Sequence, residues 1–220
     1  MTPEPKQFYF AGELFDAKHL TGNAHLAAAI EENSGGKYQA MIPQEIELRS
    51  DHPHDIRDAD ILALLNSDLA LFHFDGVELD SGTVVEYMFA KFADIPSVIL
   101  RSDFRKSGDQ SEHPWNLMVS FYPRTEVVLK NAIVDYKTAE IDDASTHSKN
   151  AIARAEALNQ VIAKEIIAAF DRVLKTPPTL KPESIEPVFE WLKKMPSFRH
   201  SEEEINTILD PIIERKKSLS

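Results

Sequence analysis

The sequence predicts a doubly wound α/β fold: a mostly parallel five-stranded sheet, followed by a C-terminal helical extension. Three observations carry this. From Gln7 onward, short apolar runs alternate with longer segments of helical period, as expected of successive βα units around a parallel sheet. After about Tyr136 the strand signals cease and long amphipathic patterns take over. The 220 residues, 43% of them hydrophobic and only 7 of them Gly, suffice for one well-packed domain with an appendage.

The elements follow in order. "QFYFAG" is the first strand, ended by Gly12. Ala17 to Asn33 places Leu20, Ala24, Ala27, Ala28 and Ile30 on one helix face, with Gly35-Gly36 as the stop. "YQAMIPQ" is the second strand, and Pro43 marks its end. His54 to Ser67 carries Ile56, Ala59, Ala63 and Leu64 at helical spacing and leads into "LALFHFDG", the clearest strand of the chain. Gly82 to Ala93 is the next helix and "PSVILRSD" the fourth strand; after a polar loop from Phe104 to His113, "TEVVLKN" supplies a fifth.

Further on, Ile152, Ala155, Leu158, Ile162, Ile166, Ala169, Phe170 and Val173 mark a long amphipathic helix, stopped by Thr176-Pro177-Pro178. Two shorter helices follow, Glu183 to Lys194 and Ser201 to Lys217. The second opens on the capping box Ser201-Glu202-Glu203-Glu204, and Pro211 is expected to kink or break it. The chain thus divides into a flavodoxin/Rossmann-like α/β domain, residues 1–136, and a helical extension, residues 137–220. The apolar faces of the extension need the sheet domain or a second subunit to cover them.

A net charge of −12 and a pI near 5.1 argue against a nucleic-acid partner, which would have to be held against the overall field. The lack of cysteine removes disulfides, thiolate nucleophiles and Cys-ligated zinc together. No basic segment leads a long apolar core at the N-terminus, and no apolar run approaches the roughly 18 residues of a membrane span. The expectation is a cytoplasmic protein with no membrane partner.

In an open parallel sheet, ligands bind where loops and helix N-termini converge at the C-terminal ends of the strands. The polar residues expected there are Tyr9, Gly12 and Glu13, then Gln44 and Glu45, then Asp75 to Glu86, then Asp103 and Arg105. "YFAGELFDAKH" holds neither the G-x-G-x-x-G turn of a dinucleotide site nor a G-x-x-x-x-G-K-[ST] loop. A phosphate-accepting receiver domain of the same fold class would need a lysine after a later strand, and none is convincingly placed.

The acids therefore direct attention to "DGVELDSGTVVEYMFA", Asp75 to Ala90. With Asp80 as a helix cap, Gly82 lies one turn before Glu86 on the same face and leaves room for a ligand, while the helix dipole favours an ionised acid. An ionised carboxylate partnered by a second acid that manages a proton is the equipment of retaining glycosidases. On these residues alone the bland reading, a capped helix with a solvated glutamate, is the favoured one. Elsewhere, "DHPHD" at Asp51 to Asp55 lacks a full ligand set for a metal. His73 reads as a hydrogen-bonded buried imidazole. Arg101 to Lys106 either touches a 5'-phosphate or forms a solvated loop.

Taken together, "FYFAGELF" at Phe8 to Phe15, "IPQE" at Ile42 to Glu45, "IRDADILALLNSDLALFHFDGVELDSGTVVEYMFA" at Ile56 to Ala90 and "PWNLMV" at Pro114 to Val119 resemble the nucleoside 2-deoxyribosyltransferase family, over roughly Gln7 to Lys130. The resemblance implies that residues 1–136 form a nucleoside-binding catalytic domain. It implies that Glu86 is the nucleophile that takes up the deoxyribose and that Asp60 handles the nucleobase proton, at a position where some relatives have Asn. Tyr9 would orient the nucleophile, Asp80 hold the sugar hydroxyl and Gln44 bind the nucleobase. Gly12 and Gly82 join the substrate-binding set at the strand and helix ends. Asn116 and Met118 match residues lent to a neighbouring subunit's sugar site, so a homo-oligomer is implied, and Trp115 beside them reads as subunit packing.

The substrates implied are 2'-deoxyribonucleosides and free nucleobases, with no cofactor and no metal. Short family members end soon after the fifth strand, some with a C-terminal carboxylate that reaches a neighbour's nucleobase. About ninety residues follow Lys130 here, so that contact is not carried over. A nucleoside or nucleoside 5'-monophosphate hydrolase on the same scaffold and a silent nucleotide-sensing module are the rival readings.

Overall fold

The computed structural model describes residues 4–46, 52–105, 112–141 and 146–219. Five parallel strands, β1 (Lys6–Ala11), β2 (Tyr38–Met41), β3 (Leu69–His73), β4 (Ser97–Arg101) and β5 (Thr125–Leu129), form one sheet in the order β2-β1-β3-β4-β5. The order reverses between β1 and β3, which opens a crevice above their C-terminal ends.

Strand alternation sorts the core into two layers. Phe8 and Phe10 of β1, Leu69 and Leu71 of β3, and Val98 and Leu100 of β4 face α1 (Ala17–Asn33) and α6 (His147–Val173). Tyr9 and Ala11, Ala70 and Phe72, and Ile99 face the other way, toward α3 (Pro53–Asn66) and α4 (Ser81–Phe92). Caps set the helix starts: Asp16 accepts from the amides of Lys18 and His19, and His52 from that of His54, with Pro53 at the first helical position.

Two short helices, α2 (Pro43–Ile46) and α5 (Ala132–Thr138), were not expected from the sequence; segments of four and seven residues are too short to show a period. The helices after α5 do not stand apart from the sheet. Ile162, Ile166, Ala169, Phe170 and Val173 of α6 are buried in the layer shared with α1, β4 and β5, and the Phe170 ring lies 5.1 Å from that of Phe8 in β1 and 5.0 Å from that of Tyr38 in β2. The division expected at residue 136 thus falls ahead of a helix that completes one layer of the sandwich.

The next helices, α7 (Pro182–Lys194) and α8 (Glu202–Leu219), lay Ile185, Phe189, Leu192, Leu209 and Ile213 on the α3–α4 layer. The capping box at Ser201 and Glu204 forms as expected, with the Ser201 amide donating to Glu204 Oε2 at 2.8 Å. Pro211 does not break α8, which runs through it. Among the described residues no helix is long and apolar enough to cross a membrane.

Candidate active site

The crevice above β1 and β3 is a cleft of about 730 Å³, lined among others by Gly12, Phe15, Asp60, Asp80, Gly82 and Glu86. A larger open groove of about 1130 Å³ lies beside β2 between α1 and α3, and it holds neither Tyr9 nor Glu86.

Glu86 enters the cleft from α4, and its position follows from the packing beneath it. Tyr9 sits on the β1 face that looks toward α4, its side chain wholly buried, and its hydroxyl donates to Glu86 Oε1 at 2.6 Å. A short O–H···O bond to a carboxylate is among the stronger hydrogen bonds, and it fixes the carboxylate while favouring its charged form. Glu86 is the sixth residue of α4, beyond the first turn where the helix dipole acts most strongly.

Asp80 caps α4: its Oδ2 accepts from the amide of Thr83 at 2.7 Å and from the Thr83 hydroxyl at 2.9 Å. A Cβ on Gly82 would meet that same Oδ2 at 3.1 Å, so the missing side chain makes room for the capping carboxylate as well as for the cleft. Gly12 closes β1 beside the end of β3, where a Cβ would meet His73 Cβ at 3.1 Å. Asp60 faces the cleft from α3, on the same helix face as Ile56 and Arg57.

The loop that carries Asp80 is held from below. Arg101, wholly buried at the end of β4, donates to the carbonyls of Phe74 at 2.5 Å and Gly76 at 3.0 Å. Gly76 has φ +98°, and a Cβ there would meet Glu78 O at 2.9 Å, so this bend requires glycine. Asp75 accepts from the amides of Ser102 at 2.6 Å and Asp103 at 2.9 Å and lies 2.9 Å from His73 Nε2. Burial pushes the Asp75 carboxyl up, but the His73 charge and these hydrogen bonds outweigh it and hold it well below the usual carboxylate range. His73 is hydrogen-bonded as its sequence context implies, but it is half-buried rather than buried.

Other expected residues lie elsewhere. Gln44 turns its amide to α1, donating to Leu20 O at 3.1 Å, and does not line the cleft. Asn116 accepts from the Met118 amide at 2.9 Å, and Met118 is largely exposed; neither lines the cleft of its own chain. Trp115 is a correction: it is buried in this chain's own core, edge-on to Phe74 at 5.7 Å, rather than presented to a subunit. Arg105 is spent on a forked pair with Asp103, and Lys106, named with it, lies outside the described residues. Met195 and Pro196, from the corner between α7 and α8, do line the cleft. Their approach is purely tertiary and leaves no sequence signal.

An acid-lined crevice at the switch point of a flavodoxin-like sheet suits chemistry on a small polar ligand. The family model described as nucleoside 2-deoxyribosyltransferase matches residues 8–118, half of the chain, and the chain belongs to that family, whose chemistry is N-glycosyl transfer on nucleosides and nucleobases. Every candidate residue from Tyr9 to Met118 falls inside the matched span, and α6 to α8 fall outside it. Similar solved structures include a conserved protein from Enterococcus faecalis V583, at 26% identity over 59% of this chain and 94% of that one, with a TM-score of 0.49. A 2-desoxiribosyltransferase from Leishmania mexicana is 19% identical over 56% of this chain and 90% of its own, with a TM-score of 0.45. A CMP N-glycosidase from Clostridium botulinum is 15% identical over 57% and 90%, with a TM-score of 0.41. Comparison with curated proteins gives no match.

Proposed function

We propose that the protein exchanges the nucleobase of 2'-deoxyribonucleosides through a covalent 2-deoxyribosyl ester on Glu86. The observation that carries this is the 2.6 Å hydrogen bond from the buried Tyr9 hydroxyl to a glutamate that opens into a cleft shared with Asp60 and Asp80.

Breaking an N-glycosidic bond leaves positive charge on the sugar and negative charge on the departing base, so it needs an ionised carboxylate at one side and a proton donor at the other. Glu86 attacks the anomeric carbon as the bond to the base nitrogen breaks, and the bonding pair leaves with the base. Asp60, the second acid of the cleft, gives the base its proton. In the return half-reaction a different base attacks the anomeric carbon of the esterified sugar, the bond from that carbon to the Glu86 oxygen breaks, the base's proton passes to Asp60, and Glu86 is released as carboxylate. Asp80, fixed by its cap bonds to Thr83, holds the sugar hydroxyl. Tyr9 keeps Glu86 aimed and charged. Asn116 and Met118, outside their own cleft, complete the site of a neighbouring subunit in a homo-oligomer.

The test is intact-protein mass spectrometry after mixing the enzyme with a 2'-deoxyribonucleoside, with and without a second base. The expected result is a deoxyribosyl mass increment that maps to Glu86 and a new nucleoside when the second base is present. Free deoxyribose as the sole sugar product in both mixtures rules out the exchange in favour of hydrolysis.

A further inference from the structure

The cleft wall beside Arg57 and Asp60 is not built by the family-matched residues alone. Met195 and Pro196 form part of it, and both come from the α7–α8 corner of the same chain. Pro196 is buried, while Met195 keeps 42% of its surface exposed.

This corner is seated on α3 by a specific set of bonds. Asp58, wholly buried one turn below the cleft-facing side of α3, accepts the Arg199 amide on Oδ2 at 2.7 Å and the Arg57 guanidinium on Oδ1 at 2.5 Å. Arg199 also reaches Asp55 at 3.1 Å, and the Ser197 carbonyl meets His54 Nε2 at 3.2 Å. Ser197 adopts φ +52°, a left-handed turn that brings the chain sharply around just after Pro196. At the other end of α7, the amides of Thr179 and Leu180 both donate to the Asp94 carboxylate, at 2.8 and 3.0 Å. The corner is therefore anchored on both sides and presents a thioether and a proline ring to the cleft.

The part of a substrate that meets this wall follows from the reaction geometry. Glu86 fixes the position of the anomeric carbon and Asp80 that of the sugar. Asp60, which serves the base nitrogen, shares its helix face with Ile56 and Arg57, and the Arg57 guanidinium reaches the Ser197 carbonyl of the corner at 3.4 Å. We infer that the α7–α8 corner is the outer wall of the nucleobase subsite, supplied by the chain to its own site, and that Met195 is a specificity-determining residue for the base. The inference rests on the N-glycosyl-transfer reading above. A flexible, polarisable methionine against the face of a heteroaromatic ring is a favourable and forgiving contact. Its volume decides how large a base fits between the corner and α3.

Two measurements on the full-length chain test this, one kinetic and one independent of turnover. In the first, kcat and KM are measured for a purine and a pyrimidine 2'-deoxyribonucleoside with Met195→Ala, Met195→Trp and Met195→Leu. The purine-to-pyrimidine ratio of kcat/KM should shift about tenfold in opposite directions for Ala and Trp, as pocket-volume changes do. Leu should restore the native ratio. In the second, protein labelled with ¹³C at the methionine methyls is titrated with adenine and with thymine, and Met195→Leu identifies the Met195 resonance. That resonance should move on addition of base. An unmoved resonance together with an unchanged ratio overturns the inference. A resonance that moves in a protein turning over no nucleoside upholds the wall and overturns the transfer reading.

Discussion

The two ends of the sheet carry opposite chemistry. At the C-terminal end, Asp60, Asp80 and Glu86 line an open cleft. At the N-terminal end, Lys91, Arg124, Arg215 and Lys216 crowd around Asp94 and Asp68: Arg124 pairs with Asp94 at 3.0 Å, Arg215 with Asp68 at 2.9 Å, and Lys216 reaches the Asp94 carbonyl at 3.4 Å. At the first end Asp80 is held by its cap bonds to Thr83 and Glu86 by the Tyr9 hydroxyl, inside a cleft that a small ligand can enter. Arg215 and Lys216 fasten α8 to the strand entrances, while Lys91 and Arg124 tie the end of α4 to the entrances of β4 and β5. One end presents acids to a cleft and the other fastens a helix.

Substitutions should separate these two roles, and the largest effect is expected at the reactive end. Glu86→Ala should lower kcat/KM for base exchange at least about 1,000-fold, about 4 kcal/mol of barrier, with an unchanged urea midpoint. Exchange at the native rate would show that the nucleophile is another group. Asp94→Ala should do the reverse. It strands a buried guanidinium and two amides, so stability measured by urea unfolding should fall by about 3 kcal/mol while kcat below the transition is retained. Tyr9→Phe should cost about 2 kcal/mol of barrier, about 30-fold in kcat.

The smallest effect concerns pH at the attachment end. Burial, then repulsion by Arg124, brings the Lys91 ammonium down to about 7, and burial with the same arginine brings Lys216 down to about 8. Between pH 7 and the ordinary lysine value of 10.5, the unfolded chain binds more protons at Lys91 than the folded one. Stability contributed by this site therefore rises with pH across that window, and its deficit is complete below pH 7. Replacing Lys91 with Met should flatten the rise by about 1 kcal/mol, as read from urea midpoints at several pH values. An identical slope in the variant would assign the pH dependence to other groups.

Much of this architecture can be read from local pattern. The alternation in "QFYFAG" sends Tyr9 to one face of the sheet and Phe8 and Phe10 to the other, and the Asp80 cap and Ser201 box are visible as residue types at fixed spacing. Local pattern does not reveal which distant partner a side chain meets. That Tyr9 reaches Glu86 was implied by resemblance, since the two are 77 residues apart. Trp115 looked like an interface residue because its neighbours do, yet an aromatic cluster with Phe74 claims it. Gln44 sits at the correct strand end, but its amide is taken by a carbonyl of α1. Pro211 was expected to disturb a helix that packing on α3 evidently sustains. Met195 and Pro196 gave no signal, since their place depends on how Asp58 seats a corner 141 residues away.

The late position of α6 has a consequence in time. The face of the sheet that bears Phe8 and Tyr38 is closed by Phe170, so it stays open while the intervening chain is being made. At roughly 5–20 residues per second, some 130 residues of synthesis separate Tyr38 from its cover by about 7–26 s. Over that interval the nascent chain displays two aromatic rings and an uncovered apolar layer to the cell. A ribosome-bound chaperone, or a brief delay before β1 and β3 pair, would find its use on this face rather than on the one that carries the cleft.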